Sequence, residues 1–146
     1  MLVVGSFYLF EESANINVYA QNEDKVSLAF SEAQFFPYTE DRNLLEIMVD
    51  YKTNDLSLID STINGEMLVF SPDGILLKST SYPEGFIITD EGKIGFRTSI
   101  MDDSLDSVTA NIKLTNLEET EAISNSIQIT VPFNDDEDLD LLIPNP

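Results

Sequence analysis

Apolar and polar residues alternate along most of this chain with a period of two rather than 3.6. In "NLLEIMVDYKTND" the set Leu45, Ile47, Val49, Tyr51 alternates with Leu44, Glu46, Met48, Asp50, which puts one apolar row on the core face of a strand. The same reading recurs in "STINGEMLVF", in "KIGFRTSI" (Ile94, Phe96, Thr98, Ile100), in "SVTANIKLT" (Val108, Ala110, Ile112, Leu114) and in "SIQITVPF" (Ile127, Ile129, Val131, Phe133). No helix-length amphipathic stripe occurs. With "KVSLAFSEAQFF" as the first strand of the body, the pattern predicts an all-β domain of seven or eight strands.

Turn signals separate these runs at about the 8–12-residue spacing of a sandwich. "TNDLS" follows one strand, and "SPDG" (Ser71 to Gly74) closes a hairpin into "ILLKSTS". "DEGK" (Asp90 to Lys93) is expected to close the next, with "DDSLD" and "NLEET" between the last three. In Pro-Asp-Gly, Pro presets the first corner and Gly accepts positive φ. Short antiparallel strands with one apolar face each must bury those faces on a second sheet, which predicts a Greek-key β-sandwich. A closed barrel is the chief rival; the longer connection "SYPEGF" favours crossing between sheets.

From "LEIMVDYKTNDLSLIDSTINGEMLVFSPDGILLKSTSYPEGF" through "GFRTSIMDDSLDSVTANIKLTN" to "ISNSIQITV" the pattern resembles an immunoglobulin-like β-sandwich of archaeal membrane-anchored surface proteins. The resemblance covers Leu44 to Val131. It implies an N-terminal hydrophobic helix and a β domain held outside the cell. Its motifs are strand and turn chemistry, so they speak to fold rather than to a reaction.

Three segments follow: an apolar N-terminal segment over 1–13, the sandwich over 14–133 and an acidic tail over 134–146. The first carries Leu2, Val3, Val4, Phe7, Tyr8, Leu9 and Phe10 and then meets Glu11 and Glu12. This apolar run is about half the ~20 residues of a spanning helix, and it has neither the basic flank nor the cleavage site of a signal peptide. Three readings stay open: the outer end of a membrane anchor begun further upstream, a strand within the chain, or a strand donated between subunits.

Charge narrows the function classes. The chain has 27 acidic residues against seven basic ones, a formal net charge of −20, yet 42% of it is apolar, so the acids are expected on solvated faces of a folded body. Lys25, Arg42, Lys52, Lys78, Lys93, Arg97 and Lys113 are scattered singly, which disfavours nucleic acid and anionic lipid surfaces as partners. With no Cys and no His, the usual zinc, copper and haem ligands, the thiol nucleophile and the imidazole base are all missing. The paired carboxylates read as turn residues, and no enzyme is expected. None of Asn54, Asn64, Asn111, Asn116 and Asn125 begins an N-x-[ST] sequon.

Two groups remain as candidate sites. Asp102, Asp103 and Asp106 supply hard oxygen ligands on one inter-strand loop, a candidate for Ca²⁺ without any D-x-D-x-D-G motif; no other cofactor is expected. In the tail, Asp135, Asp136, Glu137 and Asp138 precede an apolar tip of Leu139, Leu141, Leu142 and Ile143. Compositionally this resembles the tails by which single-stranded-DNA-binding proteins recruit partners. A solvated tail, a docking peptide and a tip folded back on the body are all open readings. The leading expectation is a non-enzymatic structural or adhesive module on the extracellular face of a membrane, reaching a protein partner or its own copies by strand pairing. The alternatives are a soluble intracellular adaptor that docks a basic partner through the acidic tail, and a calcium- or carbohydrate-binding module.

Overall fold

The computed structural model describes residues 24–101 and 104–135. Among the described residues eight strands follow one another: β1 Val26–Thr39, β2 Arg42–Thr53, β3 Thr62–Phe70, β4 Leu76–Ser81, β5 Phe86–Ile87, β6 Glu91–Ile100, β7 Ser107–Asn116 and β8 Ile127–Pro132. They form two antiparallel sheets. One has the order β1-β2-β6; the other runs β4-β3-β7-β8, with the short β5 also paired to β3. The chain crosses from the first sheet to the second after β2, back after β5, and over again after β6. This is an immunoglobulin-like Greek-key sandwich, not a closed barrel.

The alternating rows meet between the sheets. Leu45, Ile47 and Val49 of β2 are fully buried, Ile94, Phe96 and Ile100 of β6 nearly so, and Val108, Ala110, Ile112 and Leu114 of β7 close the core from the other side. Burying each large aliphatic or aromatic side chain contributes about 1.5–3 kcal/mol, and a one-residue slip would turn the whole row to solvent. Register is therefore held by the core.

Asn64 and Ser124 carry polar side chains into the core with hydrogen bonds made. The Asn64 side-chain Oδ1 accepts from the backbone N–H of Gly65 (2.8 Å) and of Tyr82 (3.0 Å), pinning the end of β4 to β3. Ser124 Oγ accepts from Leu114 N at 2.8 Å and donates to the carbonyl of Asn125.

The two sides of the sandwich differ. On one, β1 runs parallel to the closing segment through the bridges Val26↔Ser124 and Phe35↔Phe133. The Asn125 amide accepts from Leu28 N (2.8 Å) and donates to Leu28 O (3.1 Å), replacing a strand partner for that residue. Asn134 N donates to Phe35 O at 2.7 Å. On the other side, Tyr82 OH donates to Gly95 O, linking the β4 end to β6.

The "SPDG" turn forms as its chemistry requires: Gly74 has φ +85° and donates to Ser71 O at 2.9 Å. "DEGK" does not form a turn. β6 begins at Glu91, because Asp90 O already accepts from Thr53 N and Gly92 lets the Tyr51 side chain lie against the backbone, its hydroxyl 2.9 Å from where a Cβ would stand. Gly85 combines φ +71° with a Cβ position 2.6 Å from Ile63 O and 2.7 Å from Leu117 Cδ1. Gly85→Ala is expected to cost about 1–3 kcal/mol in urea unfolding. Gly74→Ala, where the space is open, should lose only the backbone part.

Candidate functional site

The outer face of the β1-β2-β6 sheet departs most from simple alternation. Register places Gln34 opposite Glu46 and Glu46 opposite Arg97, so three polar side chains form one rung across three strands. Gln34 Nε2 donates to Glu46 Oε1 at 2.9 Å, while Arg97 Nε and Nη2 donate to Oε2 at 2.9 and 2.5 Å. Glu46 is 0% exposed and the Arg97 side chain 16%. Taking a carboxylate out of water costs several kcal/mol unless charge and hydrogen bonds replace the solvent, and this rung supplies both.

Beside the rung, Phe36 pairs with Leu44, and both point away from the core. Phe36 is 7% and Leu44 4% exposed, yet neither belongs to the hydrophobic core cluster. The expectation of a solvated outer row on β2 thus fails at Leu44 and Glu46. Toward the other end of the face Lys93 pairs with Asp50 at 2.7 Å, both half exposed, and donates to Ser31 Oγ. Ala29, Asp50, Tyr51, Gly92 and Lys93 line a cleft of about 400 Å³ there.

Charge is distributed unevenly. Arg42, Lys52, Lys93 and Arg97, four of the seven basic residues, lie on this one face. Glu32, Glu46, Asp50 and Glu91 share it, so it is balanced on a chain of net charge −20. The signal in the sequence was Glu46 inside the apolar run "NLLEIMV" on a central strand, where an acid requires a partner; Arg97 as that partner depends on the β2–β6 register.

A second cleft, of about 410 Å³, lies at the pole where β1 begins and includes Asp24, Lys25, Lys52 and Asp55. Burial pushes the Asp24 carboxyl up. Hydrogen bonds from the Ser57 hydroxyl and then its backbone N–H hold Asp55 below its ordinary value.

Burial also pushes the Tyr82 hydroxyl up to about 12. Its ring packs against Phe86 and Phe96, with centroids 5.3 and 5.4 Å away. A raised folded-state pKa contributes stability that is intact below the unfolded value near 10 and lost as pH rises toward 12. Urea unfolding of the wild type should therefore weaken across that window, and Tyr82→Phe should flatten the dependence.

The residues expected to form sites are not brought together among the described residues. Asp106 is exposed, and its carbonyl accepts from Phe133 N at 2.8 Å. Asp102 and Asp103 lie outside the described residues, which contain no group of three or more His, Cys, Asp or Glu placed to hold a metal. Asp135 is exposed beside Asn134. Asp136 to Ile143 and Leu2 to Phe10 lie outside the described residues.

No protein-family model matches the chain, and no curated protein matches it. Among solved structures it is similar to a Bacteroides fragilis protein assigned as a β-galactosidase, with 8% identity and a TM-score of 0.52 over 74% of this chain and 16% of that one. It is also similar to the CARDB domain of a Pyrococcus furiosus protein, solved in complex with di-metal ions, with 11% identity and a TM-score of 0.35 over 80% of this chain and 97% of that one. At such identities the first likeness concerns the fold alone, and the looser overlay on the second adds nothing to it.

Proposed function

We propose that the chain is a non-enzymatic structural or adhesive β-sandwich module, held on the outer face of a membrane through its apolar N-terminal segment. The observation that carries this reading is the path of the backbone. β1 begins at Val26 beside Ser124, and nine residues later Phe35 lies beside Phe133, with β1 and the closing segment parallel. Among the described residues β1 therefore starts at one pole and the closing segment ends at the other, about 30 Å away along an extended strand. That is the geometry of a spacer set in line between an anchor and whatever lies beyond.

The acidic surface supports solubility and mutual repulsion at an exposed location. Among the described residues no helix is long and apolar enough to cross a membrane, so anchoring rests on Leu2 to Phe10 and whatever precedes them. The test is fractionation of native cells, followed by intact-mass analysis and labelling of whole cells with a membrane-impermeant amine reagent. A membrane-bound species labelled at Lys52 or Lys93 is the expected result. A species confined to the soluble cell interior and protected from the reagent overturns the reading.

A further inference from the structure

The outward face of the four-stranded sheet is almost free of charge. Met67, Val69, Ala110 and Ile112 lie in the core, so the register turns the residues between them outward. One outer rung runs Leu76, Phe70, Thr109, Thr130 across β4, β3, β7 and β8. The next runs Ser79, Leu68, Asn111, Gln128, and neither holds an ionisable group. The third, Ser81, Glu66, Lys113, holds one ion pair at 3.4 Å and is neutral. Leu76 is 53% exposed, with Phe70 and Leu68 half-buried beside it. The Thr109 and Thr130 hydroxyls bond each other at 3.1 Å, so covering them strands no polar group.

We infer that this face packs against the same face of a second copy, about a two-fold axis parallel to the strands and midway between β3 and β7. Charge selects the partner. Two chains of net charge −20 repel over most of their surface, so a contact between them must add no surplus acid. The β1-β2-β6 face is balanced too, but through eight charged side chains that contact would strip of water. On the nearly uncharged face, this axis sets Glu66 of each copy opposite Lys113 of the other, making the one charged pair complementary across the contact as well. An axis across the strands would set Glu66 against Phe70 or against Glu66 itself. Four strands at about 4.8 Å and three rungs at about 6.8 Å give a footprint of about 400 Å² per copy, short of the about 800 Å² of a standard interface, so the dimer is weak and reversible. Edge-to-edge pairing is the other symmetric route. Lys78 blunts the edge of β4 opposite Val69, and Tyr82 OH already takes Gly95 O on β6. The inference does not rest on membrane attachment.

Sedimentation equilibrium of the full chain at about 1 M NaCl, where the screening length is about 3 Å, is expected to show monomer and dimer in exchange. Asn111→Asp, which adds a carboxylate at the centre of the face, should weaken the dimer by about tenfold or more; the same change at the exposed Asn54, between β2 and β3, should leave it unchanged. Glu66→Lys and Lys113→Glu should each dimerise poorly alone, and an equimolar mixture of the two should associate again, because each then meets its opposite charge in the other. Circular dichroism of every variant should stay that of the folded domain. A chain that is monomeric at every concentration overturns the inference. So does association that Asn111→Asp weakens no more than Asn54→Asp, which would place the contact elsewhere, or a mixture no stronger than its components, which would remove the two-fold.

Discussion

Replacing Arg97 by methionine should destabilise the domain by about 3–5 kcal/mol, because it leaves the Glu46 carboxylate buried without its charged partner. The size of the loss comes from burial rather than from the ion pair as such. Lys93 and Asp50 sit two rungs away at 2.7 Å, but their side chains are 54% and 48% exposed, and Lys93→Met should cost no more than about 1 kcal/mol. The double substitution Glu46→Leu with Arg97→Met removes both charges and keeps the volume. It should recover most of the loss, since a hydrophobic replacement of a buried pair is often neutral or better. Urea unfolding of the wild type, the single substitutions Glu46→Leu and Arg97→Met, and the double closes the cycle. An Arg97→Met cost as small as that of Lys93→Met would mean that water reaches Glu46 and that the rung is an ordinary surface pair.

Phe35→Ala should lose about 3–5 kcal/mol as well, by a different route. Phe35 is fully buried, and its ring meets Phe133 edge-on with centroids 5.2 Å apart, so truncation opens a cavity where β1 meets the closing segment. Against the 5–15 kcal/mol of an ordinary domain this is a large share. The midpoint of urea unfolding should fall with its slope unchanged, and amide exchange should accelerate most at Asn134, whose N–H donates to Phe35 O. A loss below about 1 kcal/mol would show that Phe133 can move into the gap.

The strands were legible because one force dominates each of them. Leu45, Ile47, Val49, Tyr51 and the rows of β6 and β7 were readable as core positions, since burial on one face imposes a period of two. The turn at Ser71–Gly74 was readable because Gly74 alone there accepts its φ of +85°. "DEGK" misleads for a tertiary reason: Gly92 serves the approach of Tyr51, a contact between strands that turn propensities do not contain. Glu46 misleads in the same way. By local pattern it belongs to a solvated row, and only the register of β1, β2 and β6, which brings Gln34 and Arg97 to it from either side, makes its burial tolerable. The Asn125 clamp on Leu28 joins residues 97 positions apart and leaves no trace in any local window.

The parallel seam between β1 and the closing segment has a mechanical consequence. If the chain is held at its N-terminal end and drawn from its C-terminal end, tension enters at Val26 and at Phe133, at opposite poles of two strands that run the same way. The load then falls along the strands, in shear. The bonds from Lys25 and Val26 to Ile123, the two at Leu28 and the one at Phe35 share it at once instead of opening one after another like a zipper. A domain loaded in this geometry yields late and all at once, so it transmits force along its length with little extension.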